Sequence, residues 1–375
     1  MSVYYFILIW VVCCGIISNI TSKNIQLENG LYEKRSNLWT AIVLFLPIII
    51  LVGLRSSVAD TSVYISFFND YPSNLSDARE LILDEGTRDP GFIFLSVLLK
   101  QYVSQDYHIW LLFIATISGI CVMYPIYKYS SNYGTSMFLF IVSCQFTWLL
   151  NGMRQFLVAS VMFACTDLIL KKKPIVYMII VIIMSTIHQS ALIFIPVYFI
   201  VQGEPWDKRT MIFIVIVVLA LIFTEKFTGI LDSFVENSDY ASSMEEFKNT
   251  DDGTSVIRIA VESVPVIMAF MYRNKIKDKL TPIIRLSINM SLVASGLYII
   301  SKITRSGIML GRLPIYFSMY NLILLPWLIQ NIFEKNERRI VNYSMIICYL
   351  LFFYYQMVVT WNGLGYTSDI LRLCY

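Results

Sequence analysis

A few polar residues stand inside or beside long apolar stretches, and any chemistry has to come from them. Arg154 heads one such stretch, in Asn151-Gly152-Met153-Arg154-Gln155. A guanidinium there either snorkels to lipid headgroups or aims a planar donor fork at a phosphate or carboxylate. Gln155 beside it favours the fork, because two adjacent polar groups need more satisfying than one. His188 interrupts another apolar run together with Thr186, Gln189 and Ser190. An imidazole with an ordinary pKa of about 6.5 suits a general base, and a hydrogen-bonded structural histidine is the competing reading. Arg55 and Asp60 emerge from the end of a third stretch, ahead of Thr61 and Tyr64. A surface ion pair is the plain reading, and the alternating polar and aromatic residues that follow, through Phe67 and Phe68, suit a half-buried loop. Arg305 and Arg312 flank a late loop, and with Arg55 and Arg154 they would make a cationic site. Arg258 and Glu262 are four apart on one apolar stretch, share a helix face and read as neutralising each other. An ionisable group at membrane depth costs about 2.5–3.5 kcal/mol, so each of these residues needs a reason.

The elements that must position them are transmembrane. Of 375 residues, 57% are hydrophobic and 15% charged, and the mean hydropathy is +0.64. Ordinary globular chains run near 45–50% and about 25%. That excludes secreted enzymes, disordered chains and nucleic-acid-binding domains, and no nucleic acid is expected as a partner. Apolar blocks cover 3–20, 37–54, 107–126, 135–150, 152–170, 210–225, 256–271, 282–303, 311–329 and 340–360, most of them near the roughly 20 residues that a bilayer requires. The block 174–201 is too long for one straight span, and its His188-Gln189-Ser190 and Pro196 predict two short helices meeting at a polar turn. The fold class expected is all-α: one polytopic transmembrane domain over 1–375 with about 12 crossings. The first span is retained, because no basic n-region precedes it.

Basic residues set the orientation. Lys23, Lys34, Arg35, Lys128, Lys171, Lys172, Lys173, Lys208 and Arg209 fall in alternate short loops with the 273–279 and 335–339 clusters. That side is expected to be cytoplasmic, with both termini outward. Two longer segments then face outward: 55–106, with a short amphipathic helix over 91–103, and the acidic 226–255. Loops of that length are usually functional or disordered. The cysteines lie mostly in apolar blocks without a C-x-x-C, and with only two histidines no metal site is expected. Walker, dinucleotide-binding and H-E-x-x-H signatures are absent.

The order of the pieces resembles a known family. Arg55-x4-Asp60-Thr61-x2-Tyr64 follows the second span, and Asp89-Pro90-Gly91-Phe92 leads a short helix. Then come Arg154-Gln155, Lys171-Lys172-Lys173 and His188-Gln189-Ser190-Ala191-Leu192 ahead of Pro196, with Arg312 and Pro326 late in the chain. This resembles the EpsG-like branch of the bacterial Wzy-type polysaccharide polymerases, most closely over 53–200. Members commonly carry glycine where this chain has Ala59. The resemblance implies a metal-independent glycosyltransferase akin to the GT-C-like enzymes that use lipid-linked sugars, in the bacterial cytoplasmic (inner) membrane and needing no cofactor. Such an enzyme transfers a glycan from undecaprenyl diphosphate to the next lipid-linked repeat unit at the outer face, and a chain-length regulator is a partner for the class. It places Arg154, Arg55, Arg305 and Arg312 on the diphosphate, His188 and Asp60 as rival bases, and Gln155, Gln189 and Tyr64 as substrate-orienting groups. A flippase of lipid-linked sugars and a ligase to another acceptor are the alternatives.

Overall fold

A computed structural model gives the architecture for residues 1–26, 32–84, 86–223, 253–307 and 310–373. In chain order, α1 (Ser2–Thr21) leads to an antiparallel hairpin of β1 (Lys23–Gln26) and β2 (Tyr32–Arg35), with Lys23 opposite Arg35. Helices α2 (Leu38–Gly53), α3 (Thr61–Asp70), α4 (Arg79–Leu83), α5 (Pro90–Tyr102) and α6 (Tyr107–Tyr129) follow. Next come α7 (Tyr133–Val142), α8 (Met153–Ala164), α9 (Thr166–Leu170), α10 (Pro174–Ile187), α11 (Phe194–Ile200) and α12 (Lys208–Ile222). The chain closes with α13 (Val256–Met271), α14 (Arg273–Ile276), α15 (Pro282–Ile303), α16 (Ile315–Ser318), α17 (Asn321–Ile332) and α18 (Lys335–Tyr354). Apart from the hairpin, an all-α fold is what the composition predicts.

Helix ends follow local chemistry. Asn37 caps α2 by accepting from the Trp39 amide at 3.0 Å, and Asp106 caps α6 by accepting from the His108 amide at 2.8 Å. Proline opens α5, α10 and α15 at a position where its missing N–H costs nothing. The block 174–201 breaks as its polar triplet predicts. Residue 188 is extended, with φ −157° and ψ 115°, and a 3₁₀ turn over Gln189–Ile193 joins α10 to α11.

Four helices are long and apolar enough to cross a membrane: Ser2–Thr21, Tyr107–Tyr129, Pro282–Ile303 and Lys335–Thr360. The segments Leu310–Ser318 and Asn321–Ile332 add a fifth if they count as one span bent by 53°. Other expected crossings are shorter apolar helices, such as Leu38–Gly53 and Pro174–Ile187. The block 135–150 is α7 followed by a 3₁₀ turn over Gln145–Leu149. The chain is thus a multi-pass helical membrane protein, with its count of crossings at four or five by helix length among the described residues.

The chain divides into two compact units, Met1–Ile195 with Asn336–Tyr375, and Pro196–Lys335. In the first, α2 packs on α6, α6 on α8, α1 on α7, and α5 and α8 both on α10. The segment between α2 and α6 builds a core of its own, where Tyr71, Leu75 and Ile82 pack against Ala78, Ile93 and Val97. Lys100, buried on α5, donates from Nζ to the carbonyl oxygens of Phe68, Asn69 and Tyr71 at 2.6–2.9 Å. It thereby satisfies the C-terminal carbonyls of α3, which have no partner within the helix. The second unit assembles α13, α16 and α17 around α15, with α12 against it. There Arg258 lies 3.9 Å from Glu262, and Asn321 Nδ2 donates to Glu262 Oε2 at 3.0 Å, the internal pairing that their spacing predicts. Of the acidic segment 226–255, only 253–255 fall within the described residues.

Candidate functional site

Three helix ends meet in the first unit. The start of α8 brings Arg154, the start of α5 brings Asp89, and the break after α10 brings His188. Arg154 Nη1 lies 2.7 Å from Asp89 Oδ2, and His188 Nδ1 lies 3.4 Å from the same oxygen. The side chain of Asp89 is 10% exposed, against 29% for Arg154 and 20% for His188, so all three lie at a half-open surface. The Arg154 guanidinium also sits 5.5 Å from the ring centre of Tyr64 and 5.9 Å from that of Phe92. Both rings are buried and within cation–π range of the guanidinium. Tyr64 also hydrogen-bonds it.

Asp89 stands in the sequence only as part of the Asp89-Pro90-Gly91-Phe92 motif, with no role in the site assigned to it. It precedes Pro90 at the N-cap of α5, where a carboxylate ordinarily accepts from a helix amide, yet its side chain makes no capping bond. Its backbone is left-handed, with φ 54° and ψ 50°, a region that aspartate enters more readily than most side-chain-bearing residues. The helix cap is given up, and the carboxylate turns to Arg154 and His188 instead. Sparsely populated backbone of this kind collects at functional sites. Gly91 lets α5 approach α10: a Cβ at that position would stand 2.1 Å from Thr186 Oγ1 and 2.8 Å from Thr186 Cβ. The Asp-Pro-Gly order before an amphipathic helix was the one signal in the sequence.

Arg55 lies beneath this surface at 1% exposure. Its Nε donates to Thr61 Oγ1 at 2.9 Å, Nη1 to the Val52 carbonyl at 2.5 Å and Nη2 to Met153 Sδ at 3.5 Å. Those partners tie the end of α2 to the starts of α3 and α8. Burial pulls the guanidinium down to about 10, against the opposing pull of Asp60, so it stays charged at neutral pH. Asp60 Oδ2 accepts from the Gly152 amide at 3.2 Å, just ahead of α8. Ala59 is left-handed at φ 48°, which is the conformation that favours glycine. A strap from the end of the chain closes this turn: the Ser56 amide donates to the Thr367 carbonyl at 2.8 Å, and Tyr366 Oη to the Leu51 carbonyl at 2.7 Å.

The other expected residues are distributed differently. Gln155 is buried on α8, and Gln189 is exposed in the 3₁₀ turn beside His188. Arg305 and Arg312 belong to the second unit. Arg305 has φ 49° just after α15, and Arg312 ends a short 3₁₀ turn, Leu310–Arg312. The geometry therefore joins Arg154 and His188 through Asp89, adds Tyr64 through Arg154, and places Arg55 and Asp60 as the framework below them.

No curated protein and no solved structure matches the chain. The model of the EpsG family matches residues 38–367, from the start of α2 to the strap that closes over the Arg55 turn. That range takes in most of the chain and every residue of the cluster just described. The chain belongs to the EpsG family, relatives of the Wzy-type polysaccharide polymerases.

Proposed function

We propose that the chain is a lipid-linked glycan polymerase: it transfers a glycan from undecaprenyl diphosphate to a hydroxyl of the next lipid-linked repeat unit, at the outer face of the cytoplasmic membrane. The observation that carries this reading is the contact of Arg154 and His188 through one carboxylate, inside a chain of this family. The acceptor hydroxyl oxygen attacks the anomeric carbon of the donor glycan. The bond from that carbon to the diphosphate oxygen breaks, and its electron pair leaves with the lipid diphosphate. Arg154, lying over Tyr64 and Phe92, meets the charge developing on that leaving group. The hydroxyl proton passes to Nε2 of His188, the ring nitrogen turned away from Asp89.

His188 is the better of the two bases on this geometry. Asp60 is engaged by the Gly152 amide and by the buried Arg55 charge, whereas His188 stands at the half-open surface beside Arg154. Arg55 acts from below, by fixing the starts of α3 and α8. The outward placement of the cluster rests on the charge pattern, since Lys128 and the 171–173 lysines lie at the opposite ends of α6 and α8–α9.

The test is extension of purified lipid-linked repeat units by the purified chain in detergent, read as product length. Long products from the chain alone support a polymerase. A flippase gives none, and a ligase gives transfer only to a different acceptor. His188→Gln should cut turnover by about 10²–10⁴-fold while donor binding persists. A folded His188→Gln protein that still makes long polymer would remove His188 from this role.

A further inference from the structure

Asp89 offers the same oxygen to two partners at unequal distances. Arg154 Nη1 at 2.7 Å is a charge-assisted hydrogen bond, whereas His188 Nδ1 at 3.4 Å lies beyond the usual range for a good one. In this state the arginine holds the carboxylate, and the histidine is only loosely tied. Asp89 meets these two partners with its helix cap unused and its backbone left-handed. The charged and titratable groups around the pair are Arg154 on α8, Tyr64 on α3, and Tyr71 just beyond α3.

Resting on the polymerase reading above, we propose that Asp89 is a positioning residue exchanged between Arg154 and His188 by the donor itself. A diphosphate brings anionic oxygens to Arg154 and competes for the donors that now face Asp89. Once displaced, the carboxylate still faces His188, and closing that contact from 3.4 Å to a normal hydrogen bond takes a few tenths of an ångström. An ionised carboxylate is acceptor-only, so it selects the imidazole tautomer with the proton on Nδ1. Nε2 then carries the lone pair that takes the acceptor proton. The base is thus set in its working tautomer only when a donor diphosphate is in place.

His188 is one of only two histidines. The other, His108, pairs with Asp106 at the start of α6, outside the cluster. In a His108→Gln background, ¹⁵N-histidine labelling of the full chain in detergent therefore reads His188 alone. Inorganic pyrophosphate is the probe. With Asp89 present, pyrophosphate should enrich the Nδ1-protonated tautomer and strengthen its hydrogen bond. In Asp89→Asn, which tolerates a left-handed backbone as well as aspartate does, that response should vanish, and Asp89→Glu should restore part of it. The same Asn variant should lose at least about 10²-fold in kcat, with KM for the lipid-linked donor unchanged or lower, because Arg154 no longer has a carboxylate to leave. An identical ¹⁵N response with and without Asp89 overturns the exchange, as does a raised KM at unchanged kcat. Pyrophosphate binding with no tautomer change overturns the exchange alone. Failure of pyrophosphate to bind overturns the diphosphate role of Arg154 and the exchange together.

Discussion

Replacing Gly91 by alanine tests the site without touching any of its polar groups. The added Cβ would stand 2.1 Å from Thr186 Oγ1, 2.8 Å from Thr186 Cβ and 3.0 Å from its carbonyl carbon. Rotating Thr186 does not clear the overlap, because its Cβ and carbonyl carbon stay in place whichever rotamer the hydroxyl takes. The start of α5 must therefore back away from α10 by about 1 Å, as overlapping atoms are far costlier than a lost contact. Asp89 precedes Gly91 by two residues, and His188 follows Thr186 by two. The same movement thus lengthens the 3.4 Å contact between Asp89 and His188 beyond hydrogen-bond reach. A misplacement of this size costs about 10²-fold in rate, and the strain takes about 1–3 kcal/mol from stability. The assay is the rate of polymer extension at matched folded protein, with a thermal melt alongside. Thr186→Ala in the same chain removes the closest of the three contacts and should recover part of the activity. Wild-type extension by folded Gly91→Ala would refute the claim that this helix contact sets the site.

Arg154→Lys should lose most polymerase activity at normal protein level, because an ammonium cannot reproduce a planar fork stacked over Tyr64 and Phe92; near-normal polymer would mark a snorkelling arginine. Ala59→Gly should raise stability by about 1 kcal/mol in a melt with activity unchanged, since φ 48° strains alanine; no gain would mean that the turn relaxes in solution. Lys100→Met keeps the packing but leaves three carbonyls at the end of α3 without their donor, and should lower stability by about 1–3 kcal/mol. Asp106→Ala should lose the α6 cap, about 1 kcal/mol at neutral pH. The Asp106 carboxyl is held below its usual range, chiefly by the His108 amide. Its contribution is therefore whole above the ordinary carboxylate pKa and fades as pH falls through the lower native value, so the variant and the parent should converge in acid melts.

What the sequence disclosed follows from where the signal was local. The break at residue 188 was legible because a polar triplet inside an apolar run has to end a helix. The helix expected over 91–103 is α5, displaced by one residue, because its apolar spacing and the proline before it are local too. Arg154 was legible as a guanidinium heading an apolar helix. The role of Asp89 was hidden, since a carboxylate before proline reads as an ordinary cap, and its left-handed backbone leaves no trace in residue type. The burial of Arg55 was equally hidden, because its partners come from α3, α8 and a strap at the far end of the chain. The block 135–150, short for a span, is ambiguous in sequence for a related reason. Helix α7 is buried on every side, so its composition matches that of a full span although it runs only over Tyr133–Val142.

The strap also orders the biogenesis of the site. Tyr366 and Leu51 are 315 positions apart in the chain, so the turn that holds Arg55 is roofed only after the intervening helices have left the ribosome. Until then the most deeply buried guanidinium of the first unit sits under an open lid. A nascent chain halted before Tyr366 would carry every residue of the cluster and still lack the cover that excludes water from Arg55. Assembly of this site is therefore a late event in the life of each molecule, closed by residues that take no part in its chemistry.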